Sequence, residues 1–348
     1  VRVSTEMLKE GWIVSKSILL NTENPFIEEG KILTKEDIEV IRAFLIKDID
    51  VDLIDTNGDT NKLLEAKKEV TSLDFLKVYQ DVIKVYRTHF ISWESGVAVN
   101  IVDFRKAILP LIEYVQDPSV KKIPIPVISL KDDKDKIIHH SLLCTMLASL
   151  IAIKLNYPKG DIIQIGVSAA LCNAGYAKYH FKTLTQLENN PDYKNHPMYS
   201  YRMVEKVQFL RDQMKIAILQ HEERLDGSGY PLKLKATRIT EYASILGASA
   251  YYFNKVLYSK ESLNDFQTIE HLNKECFGKF HPSVIQALNN IVIKYQLGDR
   301  VLLSNGAVGQ IVYLSPTEIT RPIVKVENSE NVINLAKERK IYIQEILI

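Results

Sequence analysis

His221-Glu222-Glu223-Arg224-Leu225-Asp226-Gly227-Ser228-Gly229-Tyr230-Pro231 sets an imidazole beside two carboxylates and follows them with a turn. It reads as a helix end that breaks into a tight loop, and as half of an active site. Gly227 and Gly229 permit positive φ in that loop, and Pro231 fixes its exit. The other half of the site must come from elsewhere in the chain.

The run resembles the signature of the HD-GYP family, bacterial metal-dependent phosphodiesterases that act on cyclic di-GMP. That family usually carries two adjacent histidines and then a glutamate, where this chain has His221, Glu222 and Glu223. The resemblance extends in order over 137–293. His140, in His140-Ser141, matches the family's first metal-binding histidine. One turn earlier, where many members have a glutamate ligand, stands Lys136. Asp135 lies next to it, but one residue along a helix is about 100° away. Ala169-Ala170-Leu171-Cys172-Asn173-Ala174-Gly175-Tyr176 matches the segment that holds the family's His-Asp pair, glycine and lysine. Here the pair is Cys172-Asn173, and Tyr176 takes the lysine position. His196-Pro197 matches the next histidine. Ile245-Leu246-Gly247-Ala248-Ser249-Ala250-Tyr251-Tyr252 resembles the run around a metal-binding aspartate, with Ala250 at the aspartate position. Members tend to follow this run with an arginine suited to phosphate. The stretch 253–262 offers Lys255 and Lys260 instead.

A hydrolytic site of this kind needs imidazoles and carboxylates converging on ions about 3.5–4 Å apart. The resemblance implies that His140, His196 and His221 survive as ligand positions. Lys136, Cys172, Asn173, Glu222 and Ala250 are changed, and three of these five would be carboxylates in the family. Three imidazoles, with Glu222, can hold one zinc-like ion. Without the bridging anions they do not hold two or three, and an inward Lys136 would oppose any metal. The resemblance therefore implies a catalytically inactive signalling protein, sensing a nucleotide or binding a partner. No cofactor is expected, or at most a single divalent metal. The alternative is a cyclic di-GMP phosphodiesterase with a reduced, one-ion site at His140, His196 and His221. A third reading is a structural subunit with no ligand. Asp226, Gly227, Gly229, Tyr230 and Pro231 form the ligand or partner loop, which in the family is implicated in contacts with diguanylate cyclase domains. Cyclic di-GMP or such a domain is the expected partner, and a homodimer is a further expectation.

Plainer readings compete at each position. His139, His89, His180, His271 and His281 are ordinary hydrogen-bonded histidines. Cys144 shares a helix face with His140, so a thiolate site of His140, Cys144 and Cys172 is conceivable. Buried apolar thiols are the simpler reading. Glu222 is either solvated or turned to the site, and Glu223 is an acidic residue near a helix end. The Asp226–Pro231 turn can be purely structural.

The elements that position these residues follow from pattern. Residues 1–60 suggest a small α+β module. Its strands fall at 12–14, 17–20 and 48–54, its turns at 21–25 and 29–31, and a polar break at 57–59. Its helix runs from Thr34, as N-cap, to about Leu45. Residues 61–130 suggest a helical connecting region, with Phe75, Tyr79, Ile83, Tyr86 and Phe90 on one face and Phe104, Ile108, Leu111 and Ile112 on another helix. Residues 131–295 suggest the degenerate HD-GYP helical domain, with helices at 137–155, 161–171, 239–256 and 282–295. Residues 296–348 suggest a small antiparallel β-barrel begun by a hairpin around Asn305-Gly306. The expected fold class is thus mainly α, with a β module at the C-terminus.

Composition narrows the function classes. A formal net charge of +1 over 348 residues argues against nucleic acid or a membrane surface as partner. Three scattered cysteines exclude a disulfide framework and point to a reducing compartment. The most apolar stretch, 141–153, is about 13 residues, short of the roughly 20 that cross a bilayer. With no basic-then-apolar start, a cytoplasmic location is expected.

Overall fold

The computed structural model describes all residues except 1, 19–26, 28–30, 32, 44–45, 47, 53–59, 118–119, 121–122, 259–262, 316–317 and 348. The turns expected at 21–25 and 29–31, the break at 57–59, residues 19–20 of one expected strand, and Lys260 lie outside the described residues. The chain divides into two compact units, Val1–Phe75 and Leu76–Ile348.

In the first unit β1 (Arg2–Ser4), β2 (Ile13–Val14) and β3 (Asp48–Asp52) form an antiparallel sheet in the order β1-β3-β2. Between β2 and β3 runs α1 (Lys35–Ala43). Thr34 caps it as expected: its Oγ1 accepts the Asp37 N–H at 3.2 Å, and Asp37 Oδ2 accepts the Thr34 N–H at 3.1 Å. Leu8, Val14, Leu33, Ile38, Ile41, Ile49 and Val51 close the small core. Of the strand expected at 17–20, the described residues include one bridge, Ile18 to Ile27.

Next come α2 (Thr60–Glu94) and α3 (Ile101–Gln116). Tyr79, Tyr86 and Phe90 are buried as their spacing requires, with Val82 and Trp93, while Ile83 is half-buried. Phe104, Ile108, Leu111, Ile112 and Val115 are the buried face of α3. The helical unit continues with α4 (Asp133–Lys154), α5 (Lys159–Leu171), a 3-10 turn (Ala174–Tyr179), α6 (Leu184–Glu188), α7 (His196–Val204) and α8 (Asp212–Gln220). It ends with α9 (Glu241–Tyr258), α10 (Asp265–Glu275) and α11 (Pro282–Val292).

α4 is the central helix and packs along α3, α5 and α9. Its 22 residues exceed the apolar stretch read from sequence, and by length and composition alone it could span a bilayer. However, 83% of its most apolar window is buried inside the protein, which is the behaviour of a core helix surrounded by other helices. Most of the extra length is at its start, 133–140, where the Asp132 side chain caps the helix by accepting the Asp135 N–H at 3.1 Å. Arg87 ties both aspartates down, reaching Asp132 at 2.5 Å and pairing with Asp135.

The C-terminal strands are β4 (Arg300–Leu303), β5 (Val308–Tyr313), β6 (Ile323–Val326), β7 (Val332–Asn334) and β8 (Ile343–Leu347). The hairpin across Asn305-Gly306 holds, with Val301 opposite Gly309. The barrel does not: the order β7-β6-β5-β4-β8 is an open antiparallel sheet, with β7 and β8 as its edges. A buried cation explains this. Arg321 points its guanidinium at the carbonyls of Leu335, Arg339 and Ile341, the last at 2.5 Å. The segment between β7 and β8 is thereby folded around Arg321 rather than laid down as pairing strand.

Candidate metal centre and its cavity

α7 and the end of α8 deliver two imidazoles tip to tip. His196 opens α7 and is fully buried; its Nδ1–H donates to the Tyr193 carbonyl at 3.0 Å. His221 follows α8, and its Nδ1–H donates to the Ile218 carbonyl at 2.8 Å. These partners fix the tautomers, because a carbonyl only accepts. Both Nε2 atoms are left with lone pairs, and they face each other at 3.3 Å. Glu222 adds a carboxylate, with Oε1 3.9 Å from His221 Nε2. Among the described residues, His196, His221 and Glu222 are the group whose potential ligand atoms all lie within 4.8 Å of one another.

Electrostatics makes this a site for a cation other than a proton. Burial, then the neighbouring His221, pushes the His196 imidazole down to about 3. Burial lowers His221 as well. Burial alone would raise Glu222, but Arg224, His221 and His196 outweigh it and hold the carboxyl below its usual range. Two neutral imidazoles and one carboxylate, with their backs hydrogen-bonded, are the donor set of a single divalent ion.

The expected third imidazole is not part of that set. His140 on α4 donates from Nε2 to the Ala250 carbonyl at 3.2 Å, and its Nδ1 faces the Asn173 amide nitrogen at 3.4 Å. Asn173 is an N–H donor where an aspartate would only accept. Both ring nitrogens of His140 are thus engaged, and burial lowers it to about 4. Glu222 replaces it in the cluster. His140, Asn173, Glu222 and Ala250 instead share the wall of an adjoining cavity of about 340 Å³, with Tyr176 and Tyr258.

Three more expectations resolve. Lys136 does not point inward: it is exposed and pairs with Asp133 at 2.7 Å. Cys144 and Cys172 are buried, and burial raises both thiols far above their ordinary range. Among the described residues His140, Cys144 and Cys172 do not form a group whose ligand atoms all lie within 4.8 Å of one another, so the geometry gives a thiolate site no support. Of the remaining histidines, His139 accepts from or donates to the Tyr79 hydroxyl at 2.9 Å, and His271 pairs with Glu275 at 3.1 Å.

The loop is built differently from its sequence reading. Gly227 has φ +81, as a positive-φ turn requires. Gly229 has no positive φ; its backbone is packed against Glu222, Glu223 and Arg224 so closely that no side chain fits. Asp226 Oδ1 accepts the Ser228 N–H at 2.9 Å and its hydroxyl at 2.6 Å. Tyr230 turns its ring toward His196, 6.0 Å between centroids, and Pro231 follows it at the loop's exit.

Glu223, an acidic residue near a helix end, is 2% exposed. Its carboxylate accepts the N–H groups of Leu232 at 2.6 Å and Leu234 at 2.9 Å, clasping the far side of the loop. Glu223→Ala should cost about 3 kcal/mol by leaving charge-assisted bonds unmade, and Glu223→Gln, with one acceptor left, about half that. Urea unfolding measures both, and equal stability of Glu223→Ala and the parent would contradict the clasp. Two further residues have contacts at the site that the sequence did not assign them. Arg224 donates to Glu222 at 2.9 Å and sits over Phe280, 4.7 Å from its centroid. Tyr176 stacks on His196 at 4.2 Å. The signal for Arg224 was in plain view, two residues after Glu222.

Comparison with known proteins gives the following likenesses. Residues 124–282 match the HD domain family. The curated relatives that match this region are named cyclic di-GMP phosphodiesterases. The chain is 28% identical over 133 residues to the cyclic di-GMP phosphodiesterase PdeB of Borreliella burgdorferi, covering 38% of this chain and 35% of that protein. It is 23% identical over 209 residues to the cyclic di-GMP phosphodiesterase PA4108 of Pseudomonas aeruginosa, covering 58% and 50%. The matched regions thus span half or less of these relatives. Among solved structures, Bd1817, an HDGYP protein from Bdellovibrio bacteriovorus, superposes with a TM-score of 0.46 at 16% identity, covering 84% of this chain and 99% of that one.

Proposed function

We propose that this chain is a catalytically inactive HD-GYP-type signalling module that binds a nucleotide or a partner without hydrolysing a phosphodiester. The observation that carries the reading is the state of His140. It is held by the Ala250 carbonyl and the Asn173 amide, at two positions where the family has carboxylates. A second ion would find neither a free imidazole nor a bridging anion there. Its chemistry would be to activate a water between two ions and to neutralise the phosphodiester, and the residues present do not fit it.

One ion fits His196, His221 and Glu222, and this supports the second reading, a one-ion phosphohydrolase. When bound, that ion would supply Lewis acidity and positive charge. The protein's own residues supply little of either in the cavity. Among the described residues its lining includes Glu188 and Glu222 and no lysine or arginine. Lys136 pairs with Asp133, and Lys255 pairs with Glu275 at 3.0 Å. Capture of a cyclic dinucleotide in this cavity therefore depends on the ion for its positive charge. Docking of a diguanylate cyclase domain by the Asp226–Pro231 loop does not.

Metal analysis and a turnover assay separate the readings. We expect no more than one divalent ion per chain, its loss in His196→Ala, and no hydrolysis of cyclic di-GMP with manganese or iron supplied. Hydrolysis that disappears in His196→Ala would overturn the inactive reading. Two ions per chain would overturn the account of His140.

A further inference from the structure

A second cavity, of about 780 Å³, shares no lining residue with the first. It lies among the end of α2, the 3-10 turn and α7. Its wall carries Trp93, Lys178, His180, Tyr199, Arg202 and Lys206. The volume is within the range of small-molecule sites, roughly 300–1,000 Å³. From this cavity we infer a binding site for a small phosphorylated molecule with a flat ring.

Charge supports the anion. Among the described residues Lys178, Arg202 and Lys206 form no ion pair, whereas the carboxylate Glu94 at the same wall is neutralised by Lys134 at 2.7 Å. Glu205 is the remaining carboxylate of the lining. Asp192 is close behind, accepting the Tyr199 hydroxyl at 2.6 Å and sensing Lys178. The cations therefore hold the majority. Lys178 Nζ sits 3.5 Å over the Tyr199 ring and the Arg202 guanidinium 6.0 Å from it, so one aromatic face gathers two cations. The arginine fork suits a phosphate and the lysine adds a point charge.

Other features support the ring. Tyr199 and Trp93 are both at the wall, and the Trp93 indole N–H is buried with no hydrogen-bond partner. His180, which ends the 3-10 turn, reaches the same wall.

The position of the cavity gives the site a consequence. α7 carries His196 at its start and Tyr199 and Arg202 further along. The 3-10 turn carries Tyr176, stacked on His196, and Lys178 two residues later. The two elements are locked, since the Ser200 hydroxyl accepts the Gly175 N–H at 2.8 Å and donates to the Cys172 carbonyl at 2.5 Å. A ligand that shifts α7 is felt at His196.

Trp93 reports the test, because Trp12 is the other tryptophan and Trp12→Phe leaves Trp93 alone. The full chain, with chelator present to keep the metal centre empty, is titrated with AMP, with adenosine and with inorganic phosphate. AMP is expected to change the Trp93 emission saturably and to bind roughly tenfold more tightly than adenosine or phosphate, the worth of one charge-assisted contact. Arg202→Gln and Lys178→Gln should each weaken AMP by a similar factor; both residues are exposed, so the variants should fold, and circular dichroism confirms it. Lys206→Gln is the second variant if either fails. No saturable change overturns the site. Equal affinity for AMP and adenosine, or AMP affinity unmoved by Arg202→Gln and Lys178→Gln, overturns it as well.

Discussion

Gly229→Ala should lose about 3 kcal/mol or more of stability and abolish ion binding, while Gly227→Ala loses about 1 kcal/mol and keeps it. The two glycines stand two residues apart and do different things. A methyl group on Gly229 would lie 2.5 Å from the Glu222 carbonyl oxygen and closer still to Arg224 N and Glu223 Cα. All three are backbone atoms, so none can swing away. Moving them moves the segment that carries His221 and Glu222, two of the three candidate ligands. The Tyr230 N–H, which donates to the Glu222 carbonyl at 3.1 Å, would be displaced with it. A methyl group on Gly227 meets only the Lys235 side chain, nearest atom 3.1 Å away, which can bend. Its cost is that of holding a non-glycine residue at φ +81. Urea unfolding and zinc titration of the two variants measure the contrast. Equal losses would mean that the loop is soft, and that backbone packing does not hold Glu222 in place.

That contrast also shows which parts of this protein were legible in its sequence. Helix existence was, because Phe104, Ile108, Leu111 and Ile112 can only be buried together on a helix, and they are. His196 and His221 were singled out from the sequence and do meet, on either side of the α7–α8 junction. What failed were inferences about direction. Lys136 points out because Asp133, one turn away, offers it an ion pair in solvent. Glu223 points in because two loop N–H groups need an acceptor. His140 left the ligand set because a backbone carbonyl, which no residue letter records, accepts its Nε2–H. The sheet stayed open for the same kind of reason: Arg321 gathers carbonyls from a segment distant in sequence. Hydrophobic period predicts which face is buried. It does not predict which polar atom meets which.

Acid should unfold this protein well before its carboxylates titrate, and by a large amount. Burial holds His139 and His140 at about 4 and His196 at about 3, against about 6.5 in an unfolded chain. The unfolded state therefore binds protons that the folded state refuses. The resulting stability is fully present above about pH 6.5 and is lost as pH falls toward 4. At pH 5 each histidine accounts for about 1.5 units, or about 2 kcal/mol, and the three for at most about 6 kcal/mol. That sum is on the order of the whole stability of an ordinary domain, about 5–15 kcal/mol. Carboxylates held low by ion pairs act elsewhere. Asp132, held down to about 2 chiefly by Arg87, and Glu275, held there by Tyr251 and Lys255, lose their contribution only as pH falls below about 4. The two windows are thus separable. Urea unfolding at pH 7.5 and 5.0, with chelator present so that ion release adds nothing, should show a drop of several kcal/mol. His139→Leu, which removes one titrating group while Tyr79 keeps its bond to the residue 139 carbonyl at 3.3 Å, should shrink the drop by about a third. Stability unchanged between these pH values would mean that the histidines are not neutral in the fold, and the facing lone pairs of His196 and His221 would then share a proton instead of awaiting an ion.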